Sequence, residues 1–151
     1  MKKNDLHTII KKIIEQNSLF VIPTEKLVVG VSGGVDSMVL LTILHTLGCN
    51  IAVAHCNFNL RSSESQGDEE LVKQYTQKIQ VPFHSISFDT QEYAKKHKLS
   101  IEMAARALRY EWFEQLCKTH NYSKIVIAHN QNDSVETLFI NLLRGSGIKG
   151  L

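Results

Sequence analysis

Six residues, Ser32-Gly33-Gly34-Val35-Asp36-Ser37, combine the side chains and backbone freedom that a bound phosphate chain needs. Glycines let backbone N–H groups converge without obstruction from a Cβ, and Ser32 and Ser37 add hydroxyl donors. The residues around them complete the pattern. Leu27, Val28, Val29 and Val31 form a short apolar, β-rich run, and Val39, Leu40, Ile43, Leu44 and Leu47 then recur at helical spacing. A strand, a glycine turn and a helix N-terminus together make a socket for anions. No Gly-Lys-Ser/Thr closes the turn, so it is not a Walker A loop, and Gly-x-Gly-x-x-Gly cannot be laid on it. Asp36 is the informative residue. A carboxylate beside phosphates is repelled unless a cation lies between them, which implies Mg²⁺ bridging to a nucleotide. An N-cap aspartate would explain Asp36 alone but not the whole hexapeptide.

Other residues able to do chemistry fall at comparable places. Ile51 to His55 is a second buried strand, and it delivers His55, Asn57 and Arg61 to its C-terminal end. Ligands of an open parallel sheet bind at that edge. Lys124 to Ala128 is a further strand, followed by His129, with Asp133 at an N-cap position and Glu136 one turn later. Two carboxylates at a second strand-to-helix junction can complete the Mg²⁺ shell begun by Asp36, although a capping box would use the same pair. On the helix that Ser100 caps, Glu102, Arg106, Arg109 and Phe113 form a stripe about 100° from the core stripe of Ile101, Ala105, Leu108, Trp112 and Leu116. The arginines thereby flank the buried face, and their planar forks suit phosphate or carbonyl recognition.

The elements that must position these groups are read from periodicity. Leu6, Ile9, Ile10, Ile13 and Ile14 predict an amphipathic first helix, and Asn17 to Glu25 is a connector. The polar run from Ser62 to Gly67 reads as a loop, with Ser65 and Asp68 as a capping box for a helix over 68–79. Phe83 to Phe88 alternates as a third strand, Thr90 to His97 is a short charged helix, and Val135, Leu138, Phe139, Leu142 and Leu143 predict a helix after the fourth strand. Residues 144–151 form a glycine-rich basic loop. The fold class is α/β in three layers: a parallel sheet with right-handed crossovers and helices on both faces.

With 151 residues, 43% apolar and 21% charged, the chain has room for one domain, taken as 1–151. A net charge of +2 permits a nucleic-acid partner without arguing for one. No apolar run reaches membrane-spanning length and the N-terminus lacks a signal-peptide core, so no membrane association and a cytoplasmic location are expected. Cys49, Cys56 and Cys117 have neither disulfide-framework nor zinc spacing.

The hexapeptide at 32–37 resembles the PP-loop of the ATP-pyrophosphatase superfamily. Four further stretches resemble the tRNA(Ile)-lysidine synthetase family of that superfamily: His55-x-Asn-x-x-Leu-Arg61, Ile101-Glu-x-x-Ala-Arg-x-x-Arg-Tyr110, Ala128-His-Asn-x-x-Asp-x-x-Glu-Thr137 and Arg144-Gly-Ser-Gly-x-x-Gly-Leu151. Phe58 departs from that pattern, where many members carry a second histidine. The resemblance implies a PP-loop adenine nucleotide hydrolase-like fold and an ATP- and Mg²⁺-dependent ligase. Such an enzyme adenylates C2 of the wobble cytidine in the CAU anticodon of tRNA(Ile), and L-lysine then displaces AMP. It assigns the nucleotide to Ser32, Gly33, Gly34, Val35, Asp36 and Ser37, with His55, and Mg²⁺ to Asp36 and Asp133. It places His129 near the phosphates, Arg109 near the activated base and Glu136 near the lysine amine. Family members are longer, so the chain is expected to be an N-terminal catalytic-domain fragment, and a homodimer is compatible with it. The alternatives are a tRNA thiolase of the same fold, disfavoured by the isolated cysteines, and a non-catalytic ATP-binding module.

Overall fold

The computed structural model describes residues 3–60, 62–130 and 138–144, with side chains over 6–60 and 65–128. Its elements run α1 (Lys3–Gln16), β1 (Lys26–Gly30), α2 (Val35–Thr46), β2 (Asn50–Asn57), α3 (Ser62–Ile79), β3 (Phe83–Ser87), α4 (Thr90–His97), α5 (Ile101–His120), β4 (Lys124–Asn130) and β5 (Leu138–Arg144). The strand order is β3-β2-β1-β4-β5. β3, β2, β1 and β4 are mutually parallel, and β5 lies antiparallel against β4.

Strand alternation divides the core in two. Leu27, Val29, Val31, Ile51, Val53 and Val126 face α1, α2 and α3, meeting Ile10, Ile14, Leu40, Leu44 and Val72. Val28, Ala54 and Ile125 face α5, meeting Trp112, Phe113, Leu116 and Cys117. Each fully buried branched side chain among these stabilises the fold by roughly 1.5–3 kcal/mol. Through α2 and α3 the chain steps from β1 to β2 to β3 on one face. It then crosses back to β4 through α5 on the other, so every crossover keeps the same hand. The direction reverses at β1 and β4, where such sheets bind ligands.

Local signals set several boundaries. Asp89 caps α4 by accepting from the Glu92 N–H at 3.1 Å, and Ser100 caps α5 by accepting from Met103 at 3.1 Å. Gly48, at φ +79°, follows α2 in the left-handed conformation that ends many helices.

Three expectations are corrected. The polar run from Ser62 is the start of α3, because serine, glutamate and glutamine carry no apolar periodicity yet tolerate a helix. Residues 138–143, expected in a helix, and Arg144, expected to begin the loop after it, form β5, so the sheet is parallel except at this edge. A short, nearly continuous apolar run fits either element by periodicity, and Phe139 and Ile140 favour a strand. Ile101, expected in the core, is exposed, and the inner face of α5 is carried by Ala104, Trp112, Phe113, Leu116 and Cys117. Among the described residues no helix is long and apolar enough to cross a membrane.

Candidate functional site

The β1–α2 turn is held open by its own serines. The Ser37 hydroxyl donates to the Gly34 carbonyl at 3.0 Å, and the Gly34 N–H donates to Ser32 Oγ at 3.2 Å. With its proton so used, Ser37 accepts from Ser32 across 3.2 Å. Gly34 is the N-cap of α2 and supplies no side-chain cap, and the first intrahelical bond is Met38 to Gly34. The N–H groups of Val35, Asp36 and Ser37 are thus the orphan donors of the first turn, aimed where an anion would sit. Asp36 is half-buried in that turn, and among the described residues it has no cationic partner. The serine hydroxyls shape the loop, so backbone donors lead in any phosphate contact.

Gly33 adopts φ +95°, and a Cβ there would lie 2.9 Å from Cβ of Asp68 on α3. This approach brings a further carboxylate to the loop, with Glu69 beside it accepting from Asn57 at 3.5 Å. Asp68 had been legible only as a helix cap, because its proximity to Gly33 is purely tertiary.

Beside the turn lies a cavity of about 170 Å³ between the ends of β1, β2 and β4 and the inner face of α5. Its lining includes Ser32, Ser37, Cys56, Phe58, Arg109 and Phe113. Arg109, half-buried, is therefore at the sheet edge as its stripe predicted, with its guanidinium 5.3 Å from the centroid of Phe58. Arg106 is exposed, lies 5.1 Å over Tyr110 and does not line the cavity. Burial pushes the Cys56 thiol up to about 12, against a smaller opposing pull from Arg109, so the sulfur in the cavity wall is a neutral thiol.

His55 is on the other side of the sheet. Ala54, Cys56 and Phe58 alternate toward the cavity, which leaves His55 facing α3, 2% exposed. Its Nδ1 donates to the Val31 carbonyl at 2.8 Å, which fixes the orientation of the ring. Among the described residues its buried Nε2 has no partner. His55 thus anchors the junction where β1 becomes the loop and does not line the cavity. His129 belongs to β4, two residues beyond the Ile127 that pairs with Gly30, and so lies at the same sheet edge. Its side chain lies outside the described residues, as do Arg61, Asp133, Glu136 and the glycine-rich stretch 145–151.

The family model described as PP-loop domain matches residues 3–151, nearly the whole chain. The chain belongs to the PP-loop domain family. The β1–α2 turn carries the hexapeptide at 32–37 that resembles a PP-loop. Among similar proteins, a tRNA(Ile)-lysidine synthase of Bacteroides thetaiotaomicron is 49% identical over 140 residues, covering 93% of this chain and 33% of the relative. One from Porphyromonas gingivalis is 44% identical over 142 residues, covering 94% and 31%. The chain spans about a third of the length of these curated relatives. Two solved structures share this fold at low identity. They are an NH3-dependent NAD synthetase from Campylobacter jejuni (13% identical, TM-score 0.62, 84% of this chain and 56% of the other) and an NMN synthetase from Francisella tularensis (16%, 0.58, 84% and 54%).

Proposed function

We propose that this chain is the ATP-binding catalytic domain, residues 1–151, of a tRNA(Ile)-lysidine synthetase. The enzyme cleaves ATP between the α- and β-phosphates, joins AMP to the oxygen on C2 of the wobble cytidine in the CAU anticodon with release of pyrophosphate, and lets the amine of L-lysine attack C2 and displace AMP. The observation that carries this reading is the 49% identity to a tRNA(Ile)-lysidine synthase across 93% of the chain.

The loop fits a triphosphate. Three first-turn N–H groups lack a side-chain cap, and their positive dipole end favours anions. Asp36 in the same turn fits a divalent ion, with Asp133 as its proposed second carboxylate; when bound, Mg²⁺ neutralises phosphate charge. The chain's own residues do the rest. The loop N–H groups hold the phosphates, His129 lies near them, Arg109 donates toward the activated base, and Glu136 lies near the lysine amine. A positioned amine needs no protein nucleophile.

The thiolase alternative gains no support from the cysteines. Burial pushes Cys49 and Cys117 up to about 11 and Cys56 to about 12, so none is a thiolate at neutral pH. The substrates place the reaction in the cytoplasm, and a homodimer would be read by sedimentation velocity. The test is ATP-dependent incorporation of labelled lysine into unmodified CAU-anticodon tRNA(Ile) by full-length protein. Incorporation supports the reading, and its absence with active tRNA and ATP sinks it.

A further inference from the structure

Phe58 lines the cavity and neither titrates nor donates, so it acts through its ring face and what that face touches. It touches Arg109, whose guanidinium lies 5.3 Å from the ring centroid, within cation–π range. Among the described residues Arg109 meets no carboxylate, and this ring lies against its guanidinium.

The ring is itself braced. It stacks on Phe88 at 5.7 Å and 22°, and Phe88 meets the edge of Trp112 at 6.5 Å. The turn carrying it is tied down on both sides. The Phe58 carbonyl accepts from buried Thr90 at 2.7 Å, Asn59 Nδ2 donates to the Phe88 carbonyl at 2.9 Å, and Phe88 N–H donates to the Asn57 carbonyl at 2.8 Å. Asn59 closes the turn in the left-handed region at φ 54°, its N–H donating to its neighbour Asn57 Oδ1 at 2.9 Å.

We infer that Phe58 is a positioning residue: its braced ring seats the Arg109 guanidinium at the cavity wall beside the PP-loop before substrate arrives. An unseated arginine would lose its rotamer freedom during the reaction, and a seated one has already lost it. The inference rests on Arg109 acting in the proposed reaction.

The test uses full-length protein. Phe58→Leu should lower kcat about 3- to 30-fold, the range expected for loss of a cation–π contact. The KM for ATP should stay within about twofold, because the phosphates are held by the PP-loop. Phe58→Tyr, which keeps the ring face, should restore most of kcat. In an Arg109→Ala background Phe58→Leu should have no further effect; an equal loss in both backgrounds would overturn the inference. Nuclear magnetic resonance of labelled arginine gives a readout independent of turnover. The Arg109 side chain should carry a ring-current shift that Phe58→Leu removes and Phe58→Tyr retains. Absence of that shift in the wild type overturns the seat. Wild-type protein that forms no lysine-linked tRNA would fail the proposed reaction, leaving the spectrum to decide the seat.

Discussion

Replacing Gly33 by alanine should be far more damaging than the same change at Gly48, although both glycines have positive φ. Gly48, at φ +79°, has nothing within 4 Å of an added Cβ, so Gly48→Ala isolates the backbone cost. For an L-residue that cost is about 1–2 kcal/mol. Gly33, at φ +95°, adds a Cβ 2.9 Å from the Asp68 Cβ and 3.3 Å from its Cα. The Asp68 carboxylate can swing aside, but its Cα and Cβ belong to α3 and move only with the helix. Overpacking of this kind adds about 1–3 kcal/mol. The total for Gly33→Ala is about 2–5 kcal/mol, so its melting temperature should fall roughly 4–20 °C, against roughly 2–8 °C for Gly48→Ala. Function should separate them further. Displacing the loop from α3 re-aims the first-turn N–H groups, so Gly33→Ala should weaken ATP binding at least tenfold, a shift of about 1.4 kcal/mol. Gly48→Ala, at the far end of α2, should leave it unchanged. Thermal unfolding by circular dichroism and titration calorimetry with ATP measure both effects. Equal stability losses for the two variants, or unchanged ATP affinity in Gly33→Ala, would refute the close packing of loop against α3.

Two further predictions follow from the site and its surroundings. Asp36→Asn should abolish turnover while shifting the melting temperature by no more than about 2 °C, since a half-exposed first-turn carboxylate contributes little to the fold; normal activity would remove the metal role. His84 lies against His120 with ring centroids 4.5 Å apart and the rings tilted by 41°, and it shares a 2.8 Å hydrogen bond with Tyr122; burial, then the His120 charge, lowers its pKa from 6.5. A depressed histidine means the unfolded chain binds more protons, so this contribution to stability is present above pH 6.5 and lost as pH falls through the folded value. Unfolding in urea from neutral to mildly acidic pH should show that loss, and His84→Gln should flatten it; an unchanged slope in the variant would contradict the assignment.

What the sequence made legible follows from periodicity and capping. Ser100 announced its helix because its side-chain oxygen meets a first-turn N–H three residues on; the equivalent cap at Asp89 emerged only in the structure. Arg109 and Phe113, four residues apart, were legible as one stripe, and both line the cavity. The face taken by His55 was not legible. A strand buried on both faces reads as one apolar run, and only its register tells which side each residue takes. Once His55 is bound to the Val31 carbonyl, alternation sends Cys56 and Phe58 to the cavity, a placement that periodicity did not reveal. The contact of Gly33 with Asp68 joins residues 35 apart in sequence through packing alone and leaves no local signal.

The measurement that tests the central claim most directly follows ATP labelled at the α-phosphate and labelled lysine in one reaction with full-length protein and unmodified CAU-anticodon tRNA(Ile). The account predicts one AMP formed for each lysine joined to tRNA, both requiring the tRNA. AMP released without lysine transfer, or no AMP at all, would contradict it.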